Sequence, residues 1–413
     1  MEEKIYGLLG RKLSHSWSVP IHAALGCKGY RLIELEPEEL GPFLQREDIG
    51  GLNVTIPYKL DVMPFCDVID EMALAIGSVN TIVRRNGKLH AWNTDAAGFC
   101  WMAERAGISL AGRKVVVLGS GGASRTAVAM SRALGAREVV VISRSGESNY
   151  GNLSRHADAE ILVNTTPVGM YPNNGEFPVD LTAFPACRGV LDVIYNPRRT
   201  ALLLQAEALG IPCSDGLPML VAQAKAAEEH FFGAPIPDRE NERILADLRQ
   251  ETTNMVLIGM PGCGKSTVGQ ALARLTGREA VDIDQRIAEK AGCSIPDIFA
   301  AGGEAAFRLL EREATAEAGS SSGKILLTGG GVVKDPRNYT SLRQNGRIYH
   351  LTRPLSLLPT DGRPLSQGTD LAAMWAERSP LYTRFRDVII ENNGTVEDAA
   401  AAIWRDFCAH SGD

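Results

Sequence analysis

The chain has 413 residues, too many for one ordinary core, so length alone calls for two or three domains. Its 45% hydrophobic and 22% charged residues are the balance of a globular protein rather than a disordered one. A net charge of −6 without a dense Lys/Arg run argues against nucleic acid as a partner, and no apolar stretch approaches the length of a membrane span.

The N-terminal "MEEKIYGLLG" is acidic and runs straight into a strand-like segment, without the basic region and apolar core of a secretion signal. Eight scattered cysteines form no C-x-x-C pair. Reduced thiols in a cytoplasmic protein are the expectation. The first hundred residues alternate short apolar runs with helical stretches: "KIYGLLG", "SVPIHAALG", "YRLIELE", "PEELGPFLQRE". That is α/β alternation. A βαβ unit follows at "RKVVVLGSGGASRTAVAMSRALGAREVVVISRS", with further strands at "AEILVNTT" and "GVLDVIYN". Helices are expected at "LPMLVAQAKAAEEHFFG" and "DRENERILADLRQET", the second carrying an apolar stripe of Ile244, Leu245 and Leu248. A short seam at Thr252–Asn254 precedes "MVLIG", where α/β alternation resumes to the end. The expected domains are 1–100 completed by helices from 216–251, a Rossmann-like unit at 101–215, and a final domain at 252–413.

The late segment "GMPGCGKS" fits G-x-x-x-x-G-K-[ST] through Gly259, Gly264, Lys265 and Ser266, between an apolar strand and a helix. Backbone N–H groups of Gly262, Cys263, Gly264, Lys265, Ser266 and Thr267 can face the phosphates of ATP, and the helix N-terminus adds its positive end. Lys265 is expected at the β- and γ-phosphates and Ser266 on Mg2+. Cys263 reads either as a redox-sensitive thiol or as a small filler. Next, "VDIDQRI" alternates Asp282 and Asp284 at a strand end, so both carboxylates are expected to point one way. One can take a hydroxyl proton or hold metal-bound water while the other bonds the acceptor. "GGEAAFRLLEREA" puts Arg308 and Glu311 on one helical face; "LLTGGGVV", "DGRPLS" and "ERSPLYTRF" then bring Gly330, Gly331, Arg363 and Arg378.

This ordered series resembles shikimate kinase over residues 254–413. The resemblance implies a P-loop α/β domain of the nucleoside-monophosphate-kinase type. Asp284, Arg308, Gly330, Gly331 and Arg378 would hold shikimate, Asp282 would be the base or magnesium-side carboxylate, and Arg363 the lid arginine. The segment "TRPLSLLPTDG", Thr352–Gly362, is shorter than the family's usual lid approach and lacks the extra basic residues often found beside the adenine.

The early loop "VVVLGSGGASR" has Gly119, Gly121 and Gly122 for a dinucleotide turn but Ser124 at the third position, and by itself a structural glycine-rich turn reads as well. Ser143 and Arg144 end the next strand where an NAD site usually has an acid; a cation there favours the 2′-phosphate of NADP, against which Glu147 stands nearby. Around it lie Ser16 and Ser18 in "GRKLSHSWS", Thr55, Asn53 and Lys59 in "GLNVTIPYK", Asn80 in "GSVNT", Asp95 in "WNTDAAG", Tyr195 in "DVIYNPRRTALL" and Gln223 in "DGLPMLVAQ". So many hydroxyls and amides around a Lys/Asp pair suit a polyhydroxylated carboxylic acid.

This second series resembles shikimate dehydrogenase over about residues 1–251. It implies an α/β substrate domain and a Rossmann domain for NADP(H), with Lys59 and Asp95 as the catalytic pair. Ser16, Ser18, Thr55, Asn80, Tyr195 and Gln223 would bind substrate. Gly119, Gly121, Gly122, Ala123, Ser143, Arg144 and Met219 would bind the cofactor, with core packing an equal reading of Met219. Val19 stands where the family usually has Pro, and Ala96 replaces the Gly after N-T-D. Only "SGESNYGNLSRHAD" separates "VVISR" from "AEILVNTT", too short for the customary helix plus strand, so the Rossmann half reads as trimmed. Together the two halves imply consecutive steps, 3-dehydroshikimate to shikimate with NADPH, then shikimate to shikimate 3-phosphate with ATP and Mg2+. A quinate or aminoshikimate enzyme and a non-catalytic shikimate sensor are the alternatives.

Overall fold

The computed structural model describes residues 4–13, 16–358 and 371–410. Contacts divide the chain into Met1–Leu245 and Ala246–Asp413. The division falls inside the helix Arg239–Thr252 rather than at the short seam after it. The physical reason lies in the last turns of that helix: Gln250 O accepts from Arg278, and Thr252 O accepts from Gly323 N at 2.8 Å. Among the described residues the strands form three sheets, and the α/β architecture read from the sequence is borne out.

In the first unit, β1 (Ile5–Gly10), β2 (Tyr30–Glu34), β3 (Ile49–Val54), β4 (Val68–Ile69), β5 (Thr81–Arg85) and β6 (Lys88–Trp92) pair in the order β2-β1-β3-β5-β6-β4. β1 runs parallel to β2 and β3, while β5 is antiparallel to both its neighbours. A second sheet holds β7 (Lys114–Leu118), β8 (Glu138–Ile142), β9 (Ile161–Asn164), β10 (Gly189–Asp192) and β11 (Cys213–Ser214), all parallel, in the order β11-β10-β9-β7-β8. Val115, Val116 and Val117 are fully buried, as the β-branched run of a strand covered on both faces should be. Between β8 and β9 lies only the 3-10 segment Tyr150–His156, which leaves β8 at the sheet edge. The shortness read from the sequence is real.

The second unit has β12 (Asn254–Ile258), β13 (Ala280–Asp282), β14 (Ile325–Leu327), β15 (Gly346–Thr352) and β16 (Val388–Glu391), all parallel, in the order β13-β14-β12-β15-β16. The chain leaves β12 toward one side and returns on the other for β15. That reversal opens a crevice at the carboxyl end of β12, where ligands of such sheets bind. All eight cysteines are free, and no described helix is long and apolar enough to cross a membrane.

Two helices brace the first unit. Asp95–Arg105 and Leu217–Phe232 approach so closely that a Cβ on Gly98 would lie 2.4 Å from Met219 O. Gly98→Ala should therefore force the helices apart and destabilise the chain by about 1–3 kcal/mol, read as a lower first transition in thermal denaturation. An unchanged transition would mean the helices part freely.

In the second unit His350 is 1% exposed and stacks on Tyr382 at 4.7 Å, with neither ring nitrogen hydrogen-bonded among the described residues. Burial, then the charges of Arg386 and Lys265, push it from 6.5 down to about 4. The unfolded chain takes up the proton first, so this contribution is whole above pH 6.5 and is lost as pH falls toward 4, by about 3 kcal/mol. His350→Phe should flatten that part of the pH–stability curve from urea unfolding; an unaltered slope would refute the assignment.

Candidate active sites

Thr55 to Lys59 leave the carboxyl end of β3 as a turn anchored by Tyr58, whose buried ring sends its hydroxyl to Leu35 O at 2.5 Å. Lys59 O accepts from Val79 N at 3.0 Å, which ties the lysine's backbone to the segment of Asn80 just before β5. Asp95 opens the helix Asp95–Arg105, its N–H held by Asn93 Oδ1 at 3.1 Å. From these anchors Lys59 Nζ and Asp95 Oδ2 meet at 2.5 Å. Both side chains keep some exposure, 22% and 14%, so the pair can reach a ligand.

Ser16 Oγ donates to Ser18 Oγ at 3.0 Å and accepts from Ser18 N at 3.2 Å. Ser16, Thr55 and Tyr195 line a cavity of about 810 Å3 with Arg11, Lys12 and Glu36. The cavity thus joins segments of both sheets of the first unit, and the turn that supplies Thr55 also supplies Lys59. Burial raises Tyr195 above its ordinary value, so its hydroxyl keeps its proton and can donate. Gln223 Nε2 is turned back to Leu220 O at 3.1 Å. Asn80 is committed at both ends of its amide: Oδ1 accepts from Thr94 N at 2.7 Å and Nδ2 donates to Asp95 Oδ1 at 2.9 Å.

Beyond β7, Gly119 sits at φ +106, a conformation that suits glycine. Ser124, at the position of the expected third glycine, is buried and returns its hydroxyl to Gly119 O at 2.7 Å, which explains why a side chain is tolerated there. Gly121 caps the helix Gly122–Ala133 without a side-chain bond, and a Cβ on Gly121 or Gly122 would meet nothing within 4 Å. Bare N–H groups above open space fit a pyrophosphate. Ala123 is half-buried in that first turn, Ser143 is half-buried after β8, and Arg144 is exposed beside it, free to meet a further phosphate. Met219 is 8% exposed and packs in the core against Gly98, the packing alternative of the sequence reading.

The sequence reading missed Asp192, at the end of β10. Burial pushes it up to about 7, while bonds from Ile194 N, Thr200 Oγ1 and Asn164 Nδ2 act against that rise. These bonds fix the turn that delivers Tyr195. A lone acid inside "GVLDVIYN" was the available signal.

In the second unit the loop after β12 takes positive φ at Gly259, Gly262 and Gly264 before the helix Lys265–Thr276. Lys265 Nζ rests on Gly259 O at 2.8 Å and Met260 O at 3.1 Å, inside the curl of the loop. Cys263 is fully buried, and a Cβ on Gly259 would lie 2.9 Å from its Sγ. Its side chain is filler, and only its backbone can serve a phosphate. A cavity of about 860 Å3 joins Gly262, Gly264, Lys265, Ser266 and Thr267 to Asp282, Asp284, Arg308, Glu311, Gly330, Gly331 and Arg378.

The alternating-strand reading of the two aspartates is corrected. β13 ends at Asp282, whose carboxylate caps the helix Ile283–Ala291 by accepting from Asp284 N at 3.0 Å and Gln285 N at 3.3 Å. Asp284 stands in the first helical turn. Capping outweighs strand continuation because orphan N–H groups at a helix start need an acceptor.

The three glycines after β14 are required by close approach. A Cβ on Gly329 would lie 2.7 Å from Asp284 Oδ1, one on Gly330 2.7 Å from Pro261, and one on Gly331 2.5 Å from Arg308 Nη2. Arg378 Nη1 and Tyr382 Oη both donate to Gly330 O, at 3.1 and 2.5 Å. Arg308 is oriented by Glu311 at 2.6 Å and Glu304 at 3.0 Å. Burial raises Glu311 even against the neighbouring Arg308. Arg363 lies outside the described residues. Phe299 and Phe307, ring centroids 4.8 Å apart, and Arg353 also line the cavity and were not singled out from the sequence. Exposed Ser266 beside Asp282 offers a hydroxyl and a carboxylate, a set that fits Mg2+ held chiefly through phosphate and water. Among the described residues no group of three or more His, Cys, Asp or Glu forms a metal cage of its own.

The family model described as shikimate dehydrogenase substrate binding domain matches residues 8–82, and that described as shikimate kinase matches residues 261–407. A shikimate dehydrogenase (NADP(+)) of Clostridium perfringens is 36% identical over 267 residues, covering 60% of this chain and 98% of the relative. A chorismate mutase/shikimate 5-dehydrogenase fusion protein from Clostridium acetobutylicum matches at TM-score 0.58 and 36% identity, with 60% and 98% of the two chains covered. Shikimate 5-dehydrogenase from Thermus thermophilus, solved with NADP(H) and shikimate, matches at TM-score 0.53 and 31% identity, covering 58% and 97%. The chain belongs to the shikimate dehydrogenase family over its N-terminal 60% and carries a shikimate kinase domain behind it, two enzymes on one polypeptide.

Proposed function

We propose that the first unit reduces 3-dehydroshikimate to shikimate with NADPH and that the second phosphorylates shikimate with ATP and Mg2+. The observation that carries this reading is that the first unit pairs Lys59, on the turn that also supplies Thr55 to a cavity, with Asp95, and the second joins a phosphate loop to Asp284, Arg308 and Arg378 in one cavity. When bound, NADPH supplies hydride and Mg-ATP supplies the phosphoryl group.

In the reductase, Lys59 Nζ is the proton donor to the oxygen that gains charge, and Asp95 Oδ2, 2.5 Å away, keeps the ammonium aimed. Ser16, Ser18, Thr55 and Tyr195 hold the substrate's carboxylate and hydroxyls. The turn Gly119–Ala123 would take the pyrophosphate, and Arg144 the 2′-phosphate. That favours NADP over NAD even though the segment after β8 is short.

In the kinase, Arg308 and Arg378 flank the loop Gly329–Gly331 and grip a carboxylate, with Asp284 reaching a hydroxyl. Asp282 lies across the same cavity from Lys265, placed to accept the hydroxyl proton or to hold a water on Mg2+. Lys265, resting on two loop carbonyls, is ready to turn to the β- and γ-phosphates.

Incubation with 3-dehydroshikimate, NADPH and Mg-ATP should yield shikimate 3-phosphate by mass spectrometry only when both nucleotides are present. Shikimate accumulating alone would refute the kinase half, and turnover of quinate in its place would transfer the assignment to that substrate. Lys59→Ala should lower reductase kcat by about a hundredfold or more while kinase turnover in the same sample is unchanged. Arg144→Ala should reduce kcat/KM for NADPH about tenfold and leave that for NADH alone, since one charge-assisted phosphate contact is lost. Equal effects on the two cofactors would refute the 2′-phosphate role. Arg308→Lys should raise the kinase KM for shikimate, because an ammonium cannot reproduce the guanidinium fork.

A further inference from the structure

Behind the Lys59–Asp95 pair runs a line of buried polar side chains that touch neither cavity. Tyr30, Asn53, Thr81, Asn80 and Thr94 are each no more than 4% exposed. Tyr30 Oη donates to Asn53 Oδ1 at 2.8 Å. Asn53 Nδ2 donates to Thr81 Oγ1 at 3.2 Å and toward Asn80 O at 3.4 Å. Thr81 Oγ1 donates to Asn80 Oδ1 at 3.0 Å, and Asn80 Nδ2 donates to Asp95 Oδ1 at 2.9 Å.

The direction of this chain is set by the backbone. Thr94 N–H can only donate, so the Asn80 atom 2.7 Å from it must be the amide oxygen. Its NH2 therefore faces Asp95. Asn80 O can only accept, so the Asn53 atom turned toward it must be nitrogen, which leaves Asn53 Oδ1 to accept from Tyr30. Tyr30 is itself clamped. His22 stacks on its ring at 3.8 Å and 7°, and His22 Nδ1 is held by Glu228 Oε1 at 2.5 Å, both partners fully or almost fully buried. Glu228 stands on the helix Leu217–Phe232, which also carries Gln223.

We propose that Tyr30, Asn53 and Thr81 are positioning residues. Through Asn80 they commit one oxygen of Asp95 to an amide donor and so reserve the other for Lys59. With Oδ1 bonded to the Asn80 amide, rotating the carboxylate to present both oxygens to the ammonium would break a part-buried bond, which favours the geometry in which Oδ2 alone meets Lys59. Burial makes the arrangement stiff, because any break leaves a polar atom without water. Asn80, expected from the sequence to contact substrate, has a second Nδ2 proton for that role beside its bond to Asp95.

This inference rests on Lys59 and Asp95 being the catalytic pair, so Asp95→Asn is measured first with shikimate and NADP+. If that variant keeps full turnover, the pair reading fails and this inference with it. If turnover is lost, Thr81→Val, Thr81→Ser and Tyr30→Phe test the chain by itself. Thr81→Val and Tyr30→Phe should each lower kcat about fivefold, the equivalent of one neutral hydrogen bond, with KM for shikimate nearly unchanged and the thermal midpoint lowered by the buried polar atom each leaves unpaired. Thr81→Ser, which keeps the hydroxyl, should restore kcat. A kcat within about twofold of the parent in both Thr81→Val and Tyr30→Phe would overturn the proposal, as would a loss that Thr81→Ser fails to restore. If Thr81→Val does not fold, the kcat of Tyr30→Phe decides by the same twofold limit.

Discussion

Backbone N–H groups can bind phosphate only where nothing else covers them, and each half of this protein is arranged around such a bare helix start. In the first unit it is Gly121–Gly122, after β7; in the second it is Gly264–Lys265, after β12. Both follow parallel strands, whose carboxyl ends point the following helix at the crevice. A side-chain cap would satisfy those amides and close the site, and neither helix has one. Asp282, by contrast, caps its own helix with two bonds, so the first amides of that helix are already satisfied.

Close approach is the second constraint, and it explains glycines that no turn type requires. Gly329, Gly330 and Gly331 pass under Asp284, Pro261 and Arg308, so the loop can bring Asp284 and Arg308 into one cavity with the phosphate loop. Gly98 does the same work at a distance from the chemistry, by letting the helix that starts at Asp95 lie against the helix that carries Gln223. Packing and catalysis are thus linked through residues that have no side chain at all.

The charged groups divide by burial. Lys59 and Asp95 remain partly open, which leaves the pair able to reach a ligand. Asp192 and Glu311 are closed off, and burial raises both while polar neighbours hold them in place. Their bonds orient Tyr195 and Arg308, which do reach the cavities. The groups that reach the cavities are aimed by carboxylates that are themselves buried.

Sequence alone determined the chemistry that depends on local spacing. A phosphate loop announces itself within a few residues of chain, because the geometry it needs is made by consecutive φ/ψ angles, whereas the dinucleotide turn and the pairing of Lys59 with Asp95, 36 residues apart, were read only from the order of motifs along the chain. The α/β alternation and the shortened link between β8 and β9 were legible for the same reason. Tertiary structure decided what depends on segments far apart in the chain. Whether Asp284 continues a strand or starts a helix turned on where the capping bonds of Asp282 fall. Arg353, placed beside the phosphate loop by strand order, carries no motif to mark it. The partners of Asn80 come from β3, from the first residue of β5 and from the segment Thr94–Asp95, so no local pattern could say which end of its amide faces the acid. Only the folded chain fixes that, because a side-chain amide takes its direction from whichever backbone donor or acceptor packing brings to it.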